Sequence, residues 1–172
     1  MKRVPKLSRI LVIGSGEAGK TTFSMKLAER LKLPVVHLDR HFWKPGWVSV
    51  RRAEWRKKVR SFTGRKTWIM DGNYGGTYDI RFPRADLVVY FDFSPVLCLY
   101  RAIKRKIRFH GGNRSDMGPG CPEKIDIEFL LWIWNFRRTE RPRVMEAIRK
   151  FRMKDRLVVL KTPAEAEEFL SR

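Results

Sequence analysis

An α/β fold of three layers, with a five-stranded parallel sheet between helices, is what this 172-residue sequence predicts, on three observations. Short β-rich runs alternate with stretches of helical period. One run, LVVYF at Leu87 to Phe91, is apolar throughout, as a strand covered on both faces must be. A glycine-rich loop, GSGEAGKTT at Gly14 to Thr22, stands between the first strand pattern and the first helix pattern.

The elements follow in order. Ile10 to Ile13 (ILVI) is the first strand. Gly19 to Leu31 is a helix, with Phe23, Leu27, Ala28 and Leu31 on one side. Val35 to Leu38 is the second strand and Glu54 to Phe62 a short helix. Thr67 to Met70 (TWIM) and Leu87 to Phe91 are the third and fourth strands. Ser94 and Pro95 open a basic amphipathic helix to Phe109, because Ser caps a helix and Pro fits its first turn. Gly111 to Pro122, rich in Gly and Pro, is a loop. Ile125 to Arg138 is helical, and Pro142 to Phe151 is a separate helix capped by Thr139 or a neighbour. Leu157 to Leu160 (LVVL) is the fifth strand and Ala164 to Leu170 the closing helix. This alternation implies right-handed crossovers between parallel strands. No repeat or clear linker interrupts it, so residues 1–172 are expected to form a single domain, with 105–122 as a lid loop.

Hydrophobic residues make up 43% of the chain, too many for disorder and enough for one core. No apolar run approaches the roughly 18–20 residues of a membrane span. The run at Ile10 to Ile13 is too short for a secretory leader, so a cytoplasmic protein with no membrane partner is expected. Cys98 and Cys121 form no metal-ligand set; Cys98 reads as core and Cys121 as a loop thiol in a reducing compartment. The net charge is +20, a field that attracts polyanions and nucleotides alike. It fits a phosphate-binding enzyme or non-specific nucleic-acid binding, and no nucleic-acid motif accompanies it.

GSGEAGKTT satisfies G-x-x-x-x-G-K-[ST] through Gly14, Gly19, Lys20 and Thr21, in the strand–loop–helix context that gives the pattern its meaning. Glycines let backbone N–H groups turn toward phosphate oxygens, and the following helix adds its positive end. Gly14, Ser15, Gly16, Glu17, Ala18, Gly19, Lys20, Thr21 and Thr22 are therefore expected to bind ATP. Lys20 would reach the β- and γ-phosphates, and Thr21 would hold Mg²⁺ through its hydroxyl.

Asp39 and Asp71 each follow a strand, at the edge where open α/β sheets bind ligands. Asp39, in HLDRHFWKPGW, would orient an acceptor hydroxyl or bind a magnesium-bound water; the alternative is a loop-capping role. In the same segment Arg40 and His41 are candidate ligands of an acceptor phosphate, and Trp43 and Trp47 either stack on a base or cover the core. His37 reads as structural. Asp71, followed by Gly72, would assist Mg²⁺ or fix the acceptor, with Asp92 as its competitor for the metal. Arg81 and Arg84 are candidate phosphate forks, Arg84 equally a surface charge.

Arg101, Arg105 and Arg108 recur at i, i+4 and i+7 on one helix face ahead of the Gly-rich loop. They read as lid arginines that clamp transferring phosphate, against the plainer alternative of a solvated basic face. Arg137, Arg138 and Arg141, where the chain returns, are further candidates.

The order of the P-loop, HLDRHFWKPGW, WIMDGNY, LVVYFDFS, LYRAIKR and NFRR resembles the DNA topology modulation (FlaR-like) family, which is related to the adenylate kinases. The resemblance runs from about Ile10 to Leu170. It implies an adenylate-kinase-like fold, ATP binding and a kinase activity of poorly defined substrate. It aligns Asp71-Gly72 with the Asp-Gly of the adenylate kinase DGFPR motif, and Arg101 and Arg105 with arginines that begin the lid. Asn73-Tyr74 departs from the Phe-Pro of that motif and the next arginine is Arg81, which leaves the AMP site of true adenylate kinases an open question here. Two functions follow: transfer of the ATP γ-phosphate to a nucleotide-like or other small acceptor, or a nucleic-acid-associated ATPase or DNA-binding topology modulator.

Overall fold

The structure, a computed structural model, describes residues 7–108, 120–121 and 127–171. In chain order the elements are β1 (Arg9–Gly14), α1 (Lys20–Leu31), β2 (Val35–His37), α2 (Leu38–Phe42), β3 (Trp43–Lys44), β4 (Val48–Ser49) and α3 (Arg52–Thr63). They continue with β5 (Trp68–Asp71), α4 (Tyr78–Arg81), β6 (Leu87–Phe91), α5 (Pro95–Arg108), α6 (Ile127–Lys150), β7 (Leu157–Leu160) and α7 (Pro163–Ser171). The main sheet has five strands in the order β2-β5-β1-β6-β7, and every pairing is parallel. This is the predicted fold class.

Alternation along each strand divides the core. Leu11, Ile13, Met70, Val88 and Tyr90 face one way and pack against Val59, Phe62, Phe82, Phe136 and Ile148 from α3, α6 and the segment before β6. Ile10, Val12, Ile69, Val89 and Phe91 face the other way, against Phe23, Leu27, Cys98 and Ala166 from α1, α5 and α7. Both faces are dry, which is why LVVYF carries no polar residue. Replacing a fully buried side chain here, such as Met70, with Ala leaves a cavity that costs about 2–5 kcal/mol.

The strand order positions the site. From β1 the chain turns to β2 on one side of the sheet, whereas β6 leads to β7 on the other. The carboxyl ends of the neighbours β1 and β6 therefore flank a topological switch point, the usual crevice for a ligand. Gly14 ends β1 there at φ 141°. A Cβ on it would come 2.5 Å from the Phe91 carbonyl oxygen, so no larger residue lets the loop leave the strand at this point.

Three expectations are corrected. The helices predicted at Ile125 to Arg138 and Pro142 to Phe151 are one helix, α6, running through Pro142. Proline forfeits a backbone bond, but Phe136, Val144, Ala147 and Ile148 bury one continuous face that holds both halves in line. Thr139 accordingly caps nothing and donates its hydroxyl to the Asn135 carbonyl at 3.1 Å. Leu38, expected in the second strand, instead opens the short helix α2. Cys121 lies in a loop but is buried, its Sγ donating to the Lys44 carbonyl at 3.2 Å. The β3–β4 ribbon at Trp43 to Ser49 was not expected; two residues per strand carry no readable period. Most of the expected lid loop at 105–122, and residues 125 and 126 of the helix expected from Ile125, lie outside the described residues. Among those described, no helix is long and apolar enough to cross a membrane.

Candidate functional site

The loop from Gly14 to Gly19 joins the central strand β1 to α1, which begins at Lys20. Among the described residues no side chain caps α1, whose N-cap is Gly19, and no acidic residue lies in its first turn. Its first N–H groups thus face the loop with no carboxylate of their own, a donor set suited to a phosphate. Ser15 adds a buried hydroxyl beside the Cys98 thiol. Lys20 Nζ donates to the Ser15 carbonyl at 2.6 Å, so the ammonium lies over the loop it follows. These residues fit a bound nucleoside triphosphate. Among the described residues no three His, Cys, Asp or Glu converge into a metal cage. Mg²⁺ needs no such cage, since it keeps waters and substrate phosphates as ligands.

Asp71 and Asp39 reach the same edge on successive strands outward from β1. Asp71 ends β5 in register with Val12 of β1 and with His37 of β2. Its side chain is only 7% exposed. His37 Nδ1 lies 3.1 and 3.0 Å from its two carboxylate oxygens and fixes its orientation. The next residue, Gly72 at φ 128°, turns the chain where a Cβ would lie 2.9 Å from that of Leu38. Asp39, two residues past β2, is exposed and accepts a hydrogen bond from the Tyr74 hydroxyl at 2.5 Å. Burial and the adjoining Asp39 carboxylate push the Tyr74 phenol far above its ordinary range, so it remains a donor at neutral pH. His37 and Tyr74 thus hold the two acids. His37 had read as structural, and no local pattern in the sequence points to Tyr74.

Arg101 and Arg105, one turn apart on α5, both meet the P-loop. Arg101 Nη1 donates to the Ala18 carbonyl at 3.2 Å, and Arg105 is ion-paired with Glu17. Phe129 and Trp132 of α6 approach from another side; a Cβ on Gly16 would come 3.1 Å from each ring. The side chain of Arg108 lies outside the described residues.

Other expected residues fall elsewhere. Arg81 is no phosphate fork. It is 0% exposed, and four of its five N–H donors go to Thr77 Oγ1 at 3.0 Å and to the carbonyls of Gly72, Asn73 and Tyr74 at 2.9, 2.5 and 2.9 Å. Burial lowers its pKa to about 10, which leaves it charged at neutral pH. Its role is to fold the loop after β5. Arg84 lies away from the loop. It is exposed just before Asp86, whose N–H donates to the Arg9 carbonyl at the amino end of the sheet, opposite the P-loop. Asp92 is at the site edge but is already held by Arg137 and Arg141, at 3.3 and 3.1 Å. Those two arginines therefore balance a buried acid. Arg40 is exposed beside Asp39. Trp43 packs edge-on against Phe42 and Trp47, at 4.9 and 5.5 Å between ring centres. His41 has a lowered pKa, from burial first and then from Arg40, Lys58 and Arg65, so it is neutral near pH 7 and a poor phosphate cation.

No family model matches the sequence, and no curated protein matches it. Solved structures do. A shikimate kinase from Acinetobacter baumannii in complex with shikimate superposes with a TM-score of 0.65 at 17% identity, covering 96% of this chain and 92% of that one. A shikimate kinase from Bacteroides thetaiotaomicron gives 0.56 at 17% identity, covering 96% and 95%. A gluconokinase from Sinorhizobium meliloti gives 0.56 at 16% identity, covering 96% and 92%. At such identity the likeness establishes a shared fold across nearly the whole chain.

Proposed function

We propose that this chain is a kinase that binds ATP with Mg²⁺ at Gly14 to Thr22 and moves the γ-phosphoryl group to a hydroxyl of a small acceptor. The observation that carries this reading is that two positioned acids, Asp71 and Asp39, share the carboxyl edge of the sheet with Lys20. A protein that only held nucleotide would need the loop and not the second acid with its dedicated tyrosine.

Each residue has a task that its surroundings support. Lys20 holds the β- and γ-phosphates as a point charge, and the first turn of α1 adds its backbone donors. Thr21 would hold Mg²⁺, with Asp71 fixing a water of its shell; the ion supplies charge neutralisation on the phosphates. Asp39, fixed by Tyr74, orients the acceptor hydroxyl and takes its proton as the oxygen attacks. Arg101 and Arg105 are close enough to the loop to stabilise charge on the transferring group. Arg40 and Trp43, beside Asp39, line the acceptor side.

For the acceptor, the names of the similar structures point to small hydroxylated compounds, shikimate in one case. The resemblance to the DNA topology modulation family and the +20 charge keep a nucleic-acid-associated ATPase as the second reading. The test is a phosphoryl-transfer screen with labelled ATP over nucleosides, nucleotides, nucleic-acid 5′ ends and small hydroxy acids, using wild type and Lys20→Ala. Label is expected on one class of small acceptor, with a loss on the order of 10²–10³ in Lys20→Ala. A folded Lys20→Ala protein with full turnover would sink the assignment. ATP hydrolysis stimulated only by DNA would favour the second reading.

A further inference from the structure

The P-loop of this chain carries a carboxylate. Glu17 lies in the middle of a loop whose purpose is to gather anions, and it adopts φ 57°, where a side chain is sterically disfavoured. Its charge is answered from α5. Arg105 forms an ion pair with Glu17, and the side chains are only 18% and 10% exposed respectively, so water screens the pair poorly. One turn earlier Arg101 donates to the Ala18 carbonyl at 3.2 Å, and its guanidinium lies 5.7 Å from the centre of the Phe93 ring. Two successive turns of α5 are thus pinned to two successive residues of the loop.

We propose that Glu17 is a positioning residue that holds Arg105 at the P-loop and competes for it with the terminal phosphate of the nucleotide, so that Glu17 sets the preference of the site for triphosphate over diphosphate. A guanidinium binds carboxylate and phosphate with the same forked geometry. The exchange therefore needs no rebuilding of Arg105, only a stronger anion. A γ-phosphate adds charge that a diphosphate lacks, and it gains the arginine only by displacing Glu17. Arg101, bonded to a backbone carbonyl, meets no acid among the described residues and keeps α5 in place during the exchange.

The inference rests on the nucleotide reading above, and one set of titrations separates the two. ATP and ADP are titrated with Mg²⁺ into wild type, Glu17→Gln, Arg105→Gln, the double variant and Lys20→Ala, with melting temperatures as the folding control. Glu17→Gln is expected to raise the ATP-to-ADP affinity ratio about tenfold, the scale of one charge-assisted hydrogen bond. The gain is expected to vanish when Arg105 is also Gln, which distinguishes competition for the arginine from plain repulsion by Glu17. An unchanged or lower ratio in Glu17→Gln overturns the proposal, as does a gain that persists without Arg105. If wild type binds no ATP, or Lys20→Ala binds it equally well, the nucleotide reading falls and takes the proposal with it.

Discussion

The Tyr74 hydroxyl donates to the Asp39 carboxylate at 2.5 Å and so ties the loop after β5 to the helix after β2. The tyrosine is fixed in turn, its ring 4.7 Å from that of Phe42 and 5.0 Å from that of Trp55. Tyr74→Phe keeps the ring packing and removes the hydroxyl, which donates to Asp39 and accepts from Trp43. Turnover is expected to fall about tenfold with ATP affinity within about twofold, because the loss is one of acceptor orientation. A matching loss of ATP affinity would place Tyr74 in the nucleotide site instead.

Asp71→Asn and Asp39→Asn should each depress kcat on the order of 10²-fold while changing ATP affinity far less, because the roles proposed for both are on metal or acceptor during transfer. His37→Ala should reproduce part of the Asp71 effect, because His37 Nδ1 holds both carboxylate oxygens. Single-turnover rates beside equilibrium ATP titrations measure this. An Asp71→Asn enzyme with normal kcat would remove that residue from the chemistry.

Arg81 governs stability. Arg81→Met takes the guanidinium donors from the Gly72 and Asn73 carbonyls and one of three donors from the Tyr74 carbonyl, which Thr77 also serves through its N–H and its hydroxyl. The expected cost is about 2–4 kcal/mol, read as a lower urea midpoint. A variant of unchanged stability with a weakened acceptor KM would return Arg81 to the substrate.

At the amino end of the sheet, Asp86 accepts from the Ser8 and Arg9 N–H groups at 3.2 and 2.9 Å and from Arg9 Nη2 at 2.8 Å. Burial raises the Asp86 carboxyl pKa, but the Arg9 guanidinium and these N–H groups outweigh it, and the net shift is downward. A depressed folded-state pKa gives stability that is present above the ordinary carboxylate range and lost as pH falls through the folded value. Asp86→Asn is therefore expected to cost about 1–2 kcal/mol at pH 7. The gap from wild type should close progressively in acid, below about pH 4. Denaturation at several pH values checks it; a gap independent of pH would mean the charge contributes nothing.

Much of the architecture was legible because its signals are local. Strand and helix periods, the apolar run of β6 and the P-loop pattern each lie within one stretch of chain, and the sheet formed as expected. The break expected before Pro142 failed for a non-local reason: burial along the whole face of α6 outweighs one missing backbone bond. Arg81 and Arg84 failed likewise. An arginine near a strand-end acid reads the same whether it faces a ligand, folds a loop or lies at the other end of the sheet.

By itself the sequence determined the α/β class, the phosphate-binding loop and the two strand-end acids as candidates, because residue type and spacing along the chain suffice for these. Only the tertiary structure decided which residues hold those acids and which arginines reach the loop. His37 meets Asp71, Tyr74 meets Asp39 and Arg105 meets Glu17 across 34, 35 and 88 positions of chain, through the order of the strands and the packing of α5 on the loop. A hydrogen bond depends on a few ångströms in space, and no separation along the chain encodes that distance until the sheet has brought the ends of its strands together.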